Sequence, residues 1–312
     1  MFPYVVRRVF LVVPTLVLAA LLVFLLIRAV PGDPALLFVG DVDNQAAVAE
    51  KRAELGLDRS LPEQFALWVK RAAAGDLGRS IKSDRPVSEE IAEAFPVSFQ
   101  IVLLATVVAV LIAVPAGMFA AWKQNSAADF TVVAFTTLCL SVPSFWVALM
   151  MLLFFGVNLG WLPTVGYVSI AESFSEGILY LLMPVAALVL TEMATITRMT
   201  RSSTIEVLRL EYITHARAKG ATEAAVLWRH AFPNAFAPTL TIIGLILGHL
   251  LGGVVVIETM FSLPGMGRLM VGAILARDYP VVQGVLLLVV LLYVVVNFAV
   301  DLLYPAFDPR VK

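Results

Sequence analysis

A chain of 312 residues that is 60% hydrophobic and only 14% charged falls well short of the roughly 25% charge typical of soluble domains, which makes lipid its solvent. Its net charge of -1 favours no polyanionic partner. The single cysteine, Cys139, excludes an intrachain disulfide and a cysteine zinc cluster, and its apolar surroundings mark it as a small buried hydrophobe.

A membrane-spanning helix needs about 20 predominantly apolar residues, and six stretches meet that requirement. The first, Val9 to Ile27, follows Arg7 and Arg8. It is longer than a signal-peptide core and is followed by no small-x-small cleavage site, so it is read as an uncleaved span. A hydrophilic insert, residues 31–95, comes next. Within it, Ala46 to Leu55 and Pro62 to Ala74 are predicted helices, because Phe65, Trp68 and Val69 fall on one helical face. Gly75-Asp76 and Gly78 then end the pattern.

The second span is Val97 to Trp122, and the third begins near Phe130 in a run without formal charge that reaches Ala171. The fourth, Gly177 to Thr197, contains Glu192; the fifth is Phe236 to Ile257 and the sixth Val281 to Val300. Lysine and arginine concentrate at the N-terminus, in the connections after spans two and four, and at the C-terminus, whereas the short loops on the other side hold only Arg268 and Arg277. The positive-inside rule therefore puts both termini in the cytoplasm and the insert outside.

Residues 198–234, between spans four and five, carry six basic and three acidic residues. Ser203-Thr204-Ile205-Glu206 has the form of a capping box, predicting a helix from there to Gly220, where glycine permits a left-handed turn and His215, Arg217 and Lys219 suit the negative end of the dipole. A second short helix is expected from Thr222 to just before Pro233. Ala216 and Ala218 leave a shallow surface that another protein could approach closely. So short a loop, with no stacking aromatics beyond Tyr212 and Trp228, does not fit nucleic acid.

The segment Glu211 to Gly220, EYITHARAKG, with RHAFPNAFAP at Arg229 to Pro238, resembles the EAA loop of ABC importer permeases. His215-Ala216 stands at the two alanines of that name, and Thr214 at its glutamate, a departure from the pattern. The resemblance extends along the chain through LIRAVPGDPA (26–35), GDLGRS (75–80), VPSFWVALM (142–150), LGWLPTVGY (159–167), ETMFSLPGMGRL (258–269), ARDYPVVQG (276–284) and DLLYPAFDPR (301–310). Together these are similar to the dipeptide/oligopeptide and nickel permease branch.

The resemblance implies an all-α membrane protein with the type I importer permease fold. Residues 1–30 would hold the first span, 31–95 a periplasmic insert, 96–303 the permease core and 304–312 a cytoplasmic tail. It implies as partners a second homologous permease, two cytoplasmic ATPases and a periplasmic or lipid-anchored solute-binding protein. The chain itself would hold no cofactor and would not be an enzyme, with ATP and Mg bound by the ATPases. Peptide is the implied cargo; nickel chelates, glutathione or oligosaccharides are the alternatives. The ATPase contact would comprise Glu211, Tyr212, Thr214, His215, Ala216, Arg217, Ala218, Lys219, Gly220 and Pro233, with Arg217 and Lys219 as its polar grip.

Elsewhere, Gly244, Gly248 and Gly252 recur every four residues, as for close helix packing or a pathway lining. His249 beside them reads as a hydrogen-bonded packing residue, and Glu192 as a carboxylate snorkelling or paired with an arginine such as Arg198. Asn297 and Asp301 are expected to bond each other or a neighbouring helix. Glu258, Pro264, Gly265 and Gly267 mark a tight turn that the resemblance makes a periplasmic gate region. No phosphate-binding loop, H-E-x-x-H or G-x-S-x-G pattern occurs. A secondary transporter or channel would leave the basic loop unexplained.

Overall fold

A computed structural model describes residues 2–29, 34–39 and 44–307. The start of the expected insert and the tail with Arg310 and Lys312 lie outside the described residues. The described chain is helical, without a strand; an isolated bridge pairs Arg79 with Pro86.

The N-terminal helix α1 is Phe2–Ala29, followed by three insert helices, α2 Pro34–Val39, α3 Gln45–Leu55 and α4 Leu61–Ala73. Asn44 caps α3, its side chain accepting from Ala47 N at 3.1 Å, and Gly56 ends it at φ +67°. Phe65 and Trp68 pack on Phe24 of α1, with ring centroids 5.5 and 6.0 Å away. Val69, expected on the same face, is exposed. Only part of the predicted stripe is therefore used, and it fastens the insert to the first span.

The bundle proper contains α5 (Val87–Trp122), α6 (Ala127–Ser141), α7 (Ser144–Met151, prolonged by a π-turn to Asn158), α8 (Phe174–Leu208), α11 (Phe232–Gly253) and α14 (Tyr279–Phe307). Between α8 and α11 lie α9 (Glu211–Ala218) and α10 (Glu223–Ala225); between α11 and α14 lie α12 (Val255–Met260) and α13 (Met266–Leu275). Among the described residues five helices are long and apolar enough to cross a membrane, and the bent pair of α6 and α7 makes a sixth if taken as one span.

That pair corrects the simple third span expected from the charge-free run. The chain turns by 90° at Val142-Pro143, because proline has no amide hydrogen to continue the helix and disfavours helical geometry in the residue before it. The other long helices tolerate internal prolines, among them Pro115 in α5 and Pro184 in α8.

The core forms where α5, α8 and α11 meet, around Ile101, Ala105, Ala109, Leu181, Ala187 and Ile196. Small residues allow that approach. A Cβ at Gly117 of α5 would lie 2.7 Å from Thr197 O and 2.8 Å from Thr200 Cβ of α8. Helix α14 packs on α11 and α1, and large apolar side chains such as Leu111, Leu138 and Leu182 are exposed on the outside, as a lipid-facing surface requires.

Candidate functional site

Helix α8 does not stop at Thr197, the expected end of the fourth span, but runs to Leu208, carrying Ser203, Thr204 and Glu206 in its interior. The expected capping box is therefore no helix start: Ser203 and Thr204 are buried within the helix. The chain turns at Arg209-Leu210, and α9 begins at Glu211. It ends as foreseen at Gly220, φ +84°, where Gly220 N donates to Arg217 O and Ala221 N to Ala216 O. Left-handed backbone of this kind favours glycine.

Thr222 caps α10, its hydroxyl accepting from Ala225 N at 3.3 Å. A π-turn, Val226–Ala231, then feeds directly into α11. Pro233 therefore lies in the first turn of α11 and does not terminate a helix, which corrects the second expectation. Proline is tolerated there because a first-turn position demands no amide donor. The π-turn just before it widens the helix locally.

The excursion folds on its own small core. Ile213 is fully buried with Val207, Val226, Ala231 and Ala235, so one side chain of α9 anchors it and the rest face outward. Arg217 closes the excursion by a fork to Glu223, Nε to Oε1 at 2.8 Å and Nη2 to Oε2 at 3.1 Å. The Glu223 bond raises the Arg217 pKa above its ordinary value. Tyr212 Oη accepts from Asn234 Nδ2 at 3.0 Å and lies 3.4 Å from His230 O, tying α9 to the start of α11.

Arg217 and Tyr212 thus brace the excursion, and Lys219, like Arg209 and Arg229, is an exposed cation that makes no ion pair among the described residues. Glu211, Thr214, His215, Ala218 and Gly220 are exposed beside it, while Ala216 and Pro233 are half-buried. What remains is a shallow surface of small and polar groups on a rigid two-turn helix.

A second brace escaped the sequence reading. Asp129, buried near the start of α6, receives Arg201 Nε at 2.6 Å and Nη2 at 2.7 Å, and Asn125 N at 3.0 Å. It clamps the α5–α6 turn to the protruding part of α8. The only local signal was one carboxylate at the edge of a long uncharged run.

At the opposite end of α5 and α8, Glu258 is fully buried. Its carboxylate accepts from Ser98 Oγ of α5 at 2.5 Å and from Arg268 N of α13 at 3.1 Å, while Met266 N donates to Ser98 Oγ at 2.8 Å. A carboxylate suits the amide-rich start of a helix. A Cβ at Gly265 would lie 2.2 Å from Glu258 Cδ, and one at Gly267 2.5 Å from Val255 Cα. Three of the four expected gate residues therefore make one cluster, and the fourth, Pro264, is exposed next to it.

The glycine stripe divides. A Cβ at Gly244 would meet Val300 at 2.6 Å and one at Gly248 would meet Tyr293 at 2.3 Å, both on α14, whereas Gly252 has nothing within 4 Å. His249 is exposed and makes no hydrogen bond among the described residues, contrary to the packing role expected of it. Glu192 is half-buried and makes no ion pair with Arg198 or another arginine among the described residues. Asn297 Nδ2 donates to Tyr293 O at 2.8 Å, a bond within α14 itself.

The family model described as binding-protein-dependent transport system inner membrane component matches residues 113–312, and the N-terminal model of the same kind of membrane component matches residues 1–102. The dipeptide transport system permease protein DppB of Alkalihalophilus pseudofirmus is 40% identical over 332 aligned residues, covering 100% of both chains. The glutathione transport system permease protein GsiC of Escherichia coli O6:H1 is 39% identical over 312 residues, covering 100% of this chain and 99% of that one. A solved structure, titled as an amino acid ABC transporter with histidines, aligns with a TM-score of 0.47 at 16% identity over 72% of this chain and 94% of that one. With the family models covering most of its length and relatives alignable end to end, the chain belongs to the binding-protein-dependent transport system inner membrane components.

Proposed function

We propose that this chain is a permease subunit of an ATP-driven peptide importer in the bacterial inner membrane, with both termini in the cytoplasm. It forms the translocation pathway together with a second, homologous permease. Two separate ATPase subunits bind ATP and Mg and dock on the hairpin of α9 and α10, and a solute-binding protein delivers peptide to the end where Glu258 lies. This chain holds no cofactor and carries out no hydrolysis.

The observation that carries the reading is the hairpin: a short helix anchored by the buried Ile213, braced by Arg217–Glu223, and presenting an exposed face of Glu211, Thr214, His215, Ala218 and Lys219 at the end of the longest pair of core helices. A transporter driven by a gradient has no need of such a platform. The names of the dipeptide and glutathione relatives support peptide-like cargo.

The test is reconstitution in liposomes with the partner permease, ATPases and binding protein. Peptide uptake should require ATP and all components. Uptake by this chain alone under an ion gradient would falsify the proposal.

A further inference from the structure

At the end opposite the hairpin, the segment 80–85, the first turns of α5, Tyr167 and helix α13 line an open cavity of about 620 Å³. That is the size of sites that hold small ligands, roughly 300–1,000 Å³. Asp278 lines it and is 2% exposed. Its Oδ2 accepts from Ser80 Oγ at 2.5 Å and from Lys82 N at 3.2 Å. Its Oδ1 is buried and has no hydrogen-bond partner. A buried carboxylate oxygen without a donor is costly, and it marks a place where a cation with N–H donors would be welcome.

The remaining charges of the cavity sort into used and unused. Arg85 is forked to Glu93 at 2.6 and 3.1 Å, and Glu90 accepts from Ser83 Oγ. Lys82 and Arg268 also line the cavity, and neither makes an ion pair among the described residues; Arg268 donates to Ser262 O at 2.6 Å. Ala94, Val97 and Leu269 supply apolar wall between them. One buried carboxylate with an unpartnered oxygen, two cations without an ion pair among the described residues, the serine-held Glu90 and an apolar wall can together receive a small zwitterion with a side chain.

We infer that this cavity is a receiving subsite for unblocked peptide, its α-ammonium group donating to Asp278 Oδ1 and its carboxylate meeting Lys82 and Arg268. The inference rests on the peptide reading above. Pro264, Gly265 and Arg268 of the wall belong to the same turn that Glu258 holds against Ser98. The arriving peptide therefore touches the segment that closes this end of the bundle.

The experiment uses the complete assembly of permeases and ATPases in nanodiscs, without binding protein, and calorimetric titration with trialanine, N-acetyl-trialanine and trialanine amide. Trialanine should bind about tenfold more tightly than either blocked form, as expected for loss of one charge-assisted contact. Asp278→Asn should abolish the preference over the N-acetyl peptide. Because Asp278 also anchors the loop at Ser80, the exposed Lys82→Ala gives the independent arm and should weaken only the preference over the amide. Equal binding of free and blocked peptides overturns the inference. So does absence of trialanine binding by an assembly that imports trialanine when binding protein and ATP are supplied, an outcome that leaves the transport function standing. Failure of that fully supplied assembly to import trialanine overturns the peptide reading and the subsite with it.

Discussion

Asp129 and Arg201 are 72 positions apart in sequence and meet in a two-point fork whose carboxylate is only 6% exposed. Removing one partner leaves the other charge poorly solvated, which costs more than the pair contributes. Asp129→Ala should destabilise the detergent-solubilised protein by about 1.5–3 kcal/mol, the range for hydrogen bonds to charged groups. Thermal unfolding of Asp129→Ala, Arg201→Ala and the double variant would measure it, and additive effects would sink the assignment. The glycines give a sharper contrast. Gly248→Ala drives a methyl into Tyr293 and should cost about 1–3 kcal/mol as an overpacked contact, whereas Gly252→Ala meets nothing and should be neutral or stabilise by up to about 1 kcal/mol. A common effect of both substitutions would contradict this packing. Neither the fork nor the different fates of the glycines could be read from one sequence. Ser98 and Glu258 are separated by 160 residues, and Ser80 and Asp278 by 198; nothing local in a serine announces a partner so distant.

The elements were more legible than the contacts. Apolar runs of about 20 residues are nearly self-announcing, and the insert helices α3 and α4 begin and end within a residue of their expected bounds. Misreadings arose where two local signals competed. Ser203-Thr204-Ile205-Glu206 satisfies a capping pattern, yet burial of Ser203 and Thr204, and of Val207 in the hairpin core, keeps α8 helical through it. Pro233 looks like a stop but opens a helix. The break at Val142-Pro143 hides in a run whose uniform apolarity erases periodicity. At the hairpin the internal fork makes a specific prediction. Arg217→Glu should repel Glu223 and lower the ratio of transport to ATP hydrolysis about tenfold or more, and the exchanged pair Arg217→Glu/Glu223→Arg should restore it. Lys219→Glu alters only the outward surface and should stay uncoupled in any such background. Exposed pairs contribute under about 1 kcal/mol, so all of these variants should still insert. If the exchange fails to restore coupling, Arg217 acts on the partner and not as a brace.

For the whole molecule, the two charged regions sit at opposite ends of the same helices, α5 and α8. In a Cys139→Ser background, the proposed orientation has Lys219→Cys react with a membrane-impermeant maleimide only after the membrane that holds the protein is opened, and Lys82→Cys before. Labelling of both from one side would contradict a bundle that crosses the bilayer between them. Helix α8 joins the two ends without interruption. Its 35 residues, Phe174–Leu208, measure about 52 Å at 1.5 Å per residue, against about 30 Å of hydrocarbon. Pro184, its internal proline, is buried, and the Arg201–Asp129 fork grips the projecting stretch. On the function proposed above, a tilt imposed at Leu208 would reach Phe174 through one continuous helix, carried by backbone geometry more than by a relay of rearranging side chains.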